Sequence, residues 1–282
     1  MARLIQRLTT SIKTSLTFIL LYAPAWASIP IKNTPIPGGI AVVNFHSESA
    51  NPKAFYNQVP LFVQHIDEDH YQVLFGIPLM TTPGEKTLRI EGDKAKNITF
   101  TVEDHQYKAQ YINLTGKKKK FVNPNLAHMD RIKLERPILT KARKTYSDQL
   151  YVDSAFQRPT DGLTTSPFGL KRFYNGKPRR PHTGLDFAGD IGTPIKAPAN
   201  GRVILTGDFF FNGNSVFIDH GKGLISVYIH MDEIKVENNQ TLQTGEIIGT
   251  IGSTGRSTGA HLHWGVYLNH TAVDPSLFLR KE

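Results

Sequence analysis

The chain has no cysteine, which excludes disulfide cross-links, thiol nucleophiles and cysteine-ligated zinc. It also lacks any apolar run approaching the roughly 20 residues that span a bilayer. There is no His-Glu-x-x-His motif, so a zinc peptidase that uses a helix-borne glutamate base is excluded. The glycine-rich stretch from Gly252 to Gly259 has no Gly-Lys-Ser/Thr, so it is not a phosphate loop. Acidic residues are in short supply too. Asp and Glu number 24 against 33 Lys and Arg, a net charge of +9 over 282 residues. Such a surplus suggests a polyanionic partner.

The first 27 residues stand apart from this soluble, globular composition. Arg3, Arg7 and Lys13 precede the apolar run from Leu16 to Tyr22, and Ala25-Trp26-Ala27 follows. That order predicts a secretory signal cleaved after Ala27, with no transmembrane segment in the mature chain. An exported protein has little productive contact with nucleic acid, so the positive charge points to anionic cell-wall polymer or a membrane surface. The dense run Lys117 to Lys120 is expected to be a solvated loop.

Beyond a proline-rich stretch, Gly38-Gly39 opens a strand over 40–45, and β-type runs follow at 71–75, 86–91, 97–102 and 106–114. Turn residues between them predict a small antiparallel sandwich. His46, His65, His70 and His105 are scattered there among acidic residues and read as surface histidines. From Asn123 to Ser147 the spacing of Leu126, Met129, Ile132 and Leu134 is helical. Asn123-Pro124 is a plausible start, and Pro137 predicts a kinked helix or two short ones. The expected architecture is therefore mainly β and two-domain: residues 28–122 an amino-terminal β domain, 123–150 a helical connector, and 151–282 a mostly antiparallel β domain.

Six of the eleven histidines lie beyond residue 180. On a strand, His261 and His263 would share one face while Leu262 and Trp264 take the other. Such a pair can bind a metal, or one ring can bind while its neighbour serves a substrate. His182 and Asp186 are four positions apart, which places imidazole and carboxylate on one side of a strand. Alone, that pair is equally compatible with an internal hydrogen bond. The hairpin 215–230 would carry His230 at the end of a strand, and Phe209 to Phe211 would line a groove or pack in the core.

Taken together, these segments resemble one family. Ser166-Pro167-Phe168-Gly169, the stretch from Asn175 to Asp186, Tyr228-Ile229-His230 and His261-Leu262-His263-Trp264-Gly265 are similar, in the same order, to the lysostaphin-type M23 metallopeptidases. A softer likeness at Pro37 to Val42 is to the non-catalytic domain that precedes some of them. The resemblance implies an M23-type peptidase fold and one Zn²⁺ per chain on His182, Asp186 and His263. It implies unliganded catalytic roles for His230 and His261, and peptidoglycan peptides as substrate in the periplasm or cell envelope. It marks Asn200, His220 and Tyr228 as recurrent positions without assigning them chemistry. Two nitrogens and one carboxylate would leave a tetrahedral zinc a position for water. Lys171 stands where the family often has arginine, with Arg172 beside it, and Met231 replaces a common leucine. The alternative reading is a non-catalytic activator of other cell-wall hydrolases.

Overall fold

The computed structural model describes residues 28–280; the expected signal segment lies outside them. Among the described residues no helix is long and apolar enough to cross a membrane.

The amino-terminal part is two small antiparallel sheets packed face to face. One pairs Ile40–His46 with His70–Gly76 and Phe62–Asp67, and the other holds Val59–Pro60, Lys53–Tyr56, Gly84–Glu91 and Lys96–Val102. Alternation along the first strand explains how that sheet is used. Ala41, Val43 and Phe45 point into the sandwich with Tyr71, Val73, Leu88 and Ile90. Ile40, Phe62 and Leu74 point the other way, into a core shared with Phe168, Trp264 and Leu268. The sheet is thus apolar on both faces, a pattern proper to a strand covered on both sides.

The carboxy-terminal part is a ten-stranded sheet whose main path runs Thr241–Leu242, Gly201–Phe209, Gly213–Gly221, Leu224–Ile234, His261–Leu268, Leu185–Ala188 and Thr164–Ser166. Every pairing within it is antiparallel. The expected strand at 106–114 departs from this plan. Its regular part, Ala109–Ile112, leaves the amino-terminal sandwich and pairs in parallel with Lys171–Tyr174, beside the long sheet.

Of the two expected forms, a kinked helix or two short ones, the connector is a single α-helix, Leu126–Arg143, that runs through Pro137. It begins two residues later than expected, where Asn125 accepts a hydrogen bond from the His128 N–H at 2.9 Å, an N-cap. Pro137 sits on the exposed side, where water can replace the bond a proline removes. The apolar stripe is also different. Leu126 and Leu134 are exposed, whereas Ile132, Leu139 and Ala142 pack inward. Glu135 disguises that stripe by occupying an inward position, where its carboxylate accepts from the Phe210 N–H at 2.8 Å. The lysine run likewise departs from expectation at one residue. It forms a short 3-10 helix, Gly116–Phe121, from which half-buried Lys118 donates to the carbonyls of Ser253 (2.9 Å) and Gly255 (3.2 Å).

Asn200, His220 and Tyr228 share one buried chain of hydrogen bonds behind the sheet. His220 Nδ1 donates to the Asn200 carbonyl (2.7 Å), leaving Nε2 to accept from the Ser226 hydroxyl (2.8 Å), which is 2.9 Å from the Tyr228 hydroxyl. Burial depresses the His220 imidazole to about 4 from its ordinary 6.5. The unfolded chain therefore takes up this proton first as pH falls, so the stabilisation is present above about pH 6.5 and lost towards pH 4. We expect acidification across that window to cost about 3 kcal/mol at most from this residue. Urea midpoints at pH 7 and pH 4.5 should show a smaller pH dependence in His220→Gln than in the native chain.

Candidate metal centre

Asp186 and His263 stand directly opposite each other on the paired strands Leu185–Ala188 and His261–Leu268, close enough for side chains on one face to meet. His182 joins them from the loop just before the first strand. Its backbone is pinned at both ends, its N–H donating to the Leu170 carbonyl (2.9 Å) and its carbonyl accepting from the Gly169 N–H (2.8 Å). The Ser-Pro-Phe-Gly segment is therefore a clamp on this histidine. Gly184, between the two ligand candidates, has no room for a side chain. A Cβ there would lie 2.4 Å from the Trp264 carbonyl oxygen and 2.8 Å from the His263 ring.

Asp186 Oδ1 is 2.9 Å from His182 Nε2 and 2.7 Å from His263 Nδ1, and the two nitrogens are 2.9 Å apart. All three residues are buried. His182 Nδ1 lies 2.7 Å from the Pro167 carbonyl, which can only accept, so Nδ1 carries the hydrogen and Nε2 presents a bare lone pair in the neutral ring. Burial opposes ionisation of Asp186, but the imidazoles facing it outweigh that and hold its carboxyl far below the usual range. Burial pushes His263 down to about 4. At neutral pH Asp186 is thus a carboxylate and the His263 ring is neutral, with His182 Nε2 turned towards both. A proton on His263 would still leave the His182 lone pair facing the carboxylate oxygen, whereas one cation meets all three atoms. The donor set fits a metal ion.

The far oxygen of the carboxylate has its own partner. Arg172 Nη2 is 2.8 Å from Asp186 Oδ2, and its Nε donates to Gln110 Oε1 at 3.0 Å. Arg172, rather than exposed Lys171, provides the contact. It fixes which oxygen turns towards the histidines.

His230 and His261 reach the same place by different routes. His261 alternates with Leu262 and lies with His263 on the groove side, its Nδ1 3.0 Å from the Gly259 carbonyl. His230 sits where Leu224–Ile234 has one residue more than its partner between the pairs Tyr228↔Val216 and Met231↔Asn214. Such a bulge re-aims a side chain, and here His230 adopts φ of +67°, uncommon for a residue with a side chain. Its Nδ1 donates to the Thr254 carbonyl at 2.8 Å, so both rings turn Nε2 away from the backbone. The rings are 5.0 Å apart, and His230 is 6.3 Å from His263. Burial, with His261 and His263 adding to it, pushes His230 well below its ordinary range.

An open groove of about 490 Å³ runs past Asp186, His230 and His261, walled on one side by residues 110–113 of the amino-terminal part and on another by Arg256. Phe209 and Phe210 are buried, and Phe211 lies against Arg256. Gly255 to Gly259 fits the Gly-x-Ser-x-Gly pattern, yet Ser257 sits in a loop with no helix after it and is no nucleophile elbow. Gln110, Arg172 and Arg256 were not legible as site residues. Only the arginine expected near Lys171 gave a signal for any of them.

Two family descriptions match the chain: Peptidase family M23 over residues 180–275, and the Peptidase family M23 N-terminal domain over residues 33–105. The chain is 40% identical over 112 residues to the DD-carboxypeptidase/endopeptidase Mpg of Neisseria meningitidis, covering 39% of this chain and 26% of that protein. It is 40% identical over 124 residues to the peptidoglycan DD-endopeptidase ShyA of Vibrio cholerae, covering 43% and 29%. It thus spans less than a third of those curated relatives. A crystal structure of a candidate M23 peptidase from Pseudomonas aeruginosa is similar over 88% of this chain and 96% of that one, with a TM-score of 0.73 and 38% identity.

Two substitutions should weaken this centre without touching a ligand candidate. Arg172→Met leaves Asp186 Oδ2 unpaired in a buried setting, and we expect metal affinity to fall about ten- to a hundredfold, read by competition with a chromogenic chelator. Gly184→Ala should displace His263, lowering both metal affinity and the thermal midpoint in the same assay and a melt.

Proposed function

The chain belongs to peptidase family M23, and from that premise we propose that it is a zinc-dependent endopeptidase that hydrolyses the peptide cross-links or stems of bacterial peptidoglycan. The observation that carries this reading is the triangle of His182 Nε2, Asp186 Oδ1 and His263 Nδ1, with sides of 2.7 to 2.9 Å. These residues would hold one Zn²⁺ per chain. When bound, the ion supplies a Lewis acid that polarises the scissile carbonyl and lowers the pKa of a water molecule.

The chain's own side chains do the rest. Arg172 keeps Asp186 oriented from behind, and Pro167 does the same for His182. His230 and His261 are the proton handlers. Each has Nδ1 committed to a backbone carbonyl, so the proton moves at Nε2. Depressed by burial, His230 stays neutral at pH 7 and can accept a proton as water attacks. A protonated Nε2 can return one to the leaving amine or donate to the developing oxyanion. The groove is open to solvent, which admits a peptide.

The proposed division is an amino-terminal β unit over 28–122, a helical connector over 123–150 and a peptidase domain over 151–282. The proposed place of action is the periplasm or cell envelope, after cleavage of residues 1–27. The relatives' named activity on peptidoglycan and the net charge of +9 support both substrate and place, since a cationic surface is retained on a polyanionic mesh.

Purified muropeptides incubated with the protein should be cut, and chelator should stop the reaction. His182→Ala should abolish both cutting and metal retention. His230→Ala and His261→Ala should keep the metal and lower kcat by about a hundred- to ten-thousandfold. Product that persists in chelator, or no product with any divalent metal, would overturn the reading.

A further inference from the structure

Arg256 lines the same groove as Asp186 of the metal centre, and it has no assigned partner. Its guanidinium lies 4.9 Å from the Tyr174 ring centre and 4.8 Å from that of Phe211. Those contacts hold the plane but satisfy none of its five N–H donors. Among the described residues no carboxylate lies within ion-pair distance of it, and no side-chain hydrogen bond is made. Its cationic neighbours differ in this respect. Arg172 is spent on Asp186, and Arg179 on the carbonyls of Val122 and Pro178. The one carboxylate lining the groove, that of Asp186, is already shared among His182, His263 and Arg172.

The side chain is also held ready. The Arg256 N–H donates to the Phe211 carbonyl at 2.9 Å, and Lys118 ties down the carbonyls of Ser253 and Gly255 just before it. Gly255 packs so tightly on Gly213 that a Cβ would lie 2.4 Å from the Gly213 nitrogen. A half-buried fork on a fixed loop, with unused donors and no anion of its own, is a pre-formed receptor for a planar anion. Burial, with repulsion from Arg172 and Arg179 added, works against its charge, and an incoming anion would relieve both.

We propose that Arg256 is a substrate-binding residue that fixes a free carboxylate of the peptide alongside the metal centre. The inference rests on the peptidase reading and narrows it: the preferred substrate is a peptide with an unmodified carboxylate near the scissile bond. That carboxylate can belong to the chain terminus or to an acidic side chain.

The test is calorimetry on the full chain, treated with chelator so that no turnover is needed. The ligands are a synthetic peptidoglycan stem peptide with all carboxylates free, and the same peptide with each carboxylate amidated in turn. We expect one amidation, and not the others, to weaken binding about ten- to a hundredfold, which also identifies the carboxylate. Arg256→Met should lose that discrimination, and Arg256→Lys should keep part of it. The acid-against-amide comparison in the native chain needs no variant to fold. Equal binding of all forms, no measurable binding of any, or discrimination that survives in a folded Arg256→Met would each overturn the proposal. Chelator-sensitive cutting of acid and amide substrates at equal kcat/KM would do so as well, while leaving the peptidase reading in place.

Discussion

The carboxylate of Asp186 is the point from which the site is organised, because its two oxygens answer to opposite demands. Oδ1 faces two imidazole nitrogens within 2.9 Å, and Oδ2 is held by Arg172 at 2.8 Å. A buried carboxylate is costly unless both oxygens are partnered. Arg172 meets one side with a fixed, always-charged donor. The other side is left converging with the two histidine nitrogens on a position that suits a cation. Removing water from this centre lowers the local dielectric and strengthens every term in the arrangement.

The sheet makes that convergence possible. Antiparallel pairing sets Asp186 opposite His263, and the period of two brings His261 to the same face while Leu262 and Trp264 enter the core. Regular pairing alone would not aim His230 as it is aimed. The extra residue in its strand and the left-handed backbone turn that side chain towards the groove, at a conformational cost met by the hydrogen bonds around it. His261 on its strand and His230 on its bulge, the two proposed proton handlers, therefore sit where geometry is stiffer than on free loops.

The amino-terminal part is more than an appended module in this structure. Its first sheet is covered on both faces and shares a core with the large sheet. Its last strand pairs with Lys171–Tyr174 and brings Gln110 to Arg172. A chain of contacts thus runs from Gln110, 62 positions before Arg172, through that arginine to the back of Asp186. The connecting helix is anchored by polar contacts as well as by Ile132, Leu139 and Ala142, through Arg131 to Asp208 and Glu135 to the Phe210 N–H.

What the sequence alone determined was local and periodic: the alternation that puts His261 and His263 on one face, the spacing of His182 and Asp186, and the β-type runs of the amino-terminal sandwich. Absence decided as much, since without cysteine any metal had to be held by nitrogen and oxygen. Tertiary structure decided whatever depends on residues far apart in the chain. Arg172 reaches Asp186 because a strand from residues 109–112 pairs beside it. Arg256 faces the groove because Lys118 and Gly213 hold its loop. The inward face of the helix was hidden because Glu135 satisfies a backbone donor there, and no pattern of apolar residues encodes that. Periodicity is a property of neighbours in sequence, whereas a hydrogen bond to a distant carbonyl exists only once the chain has closed around it.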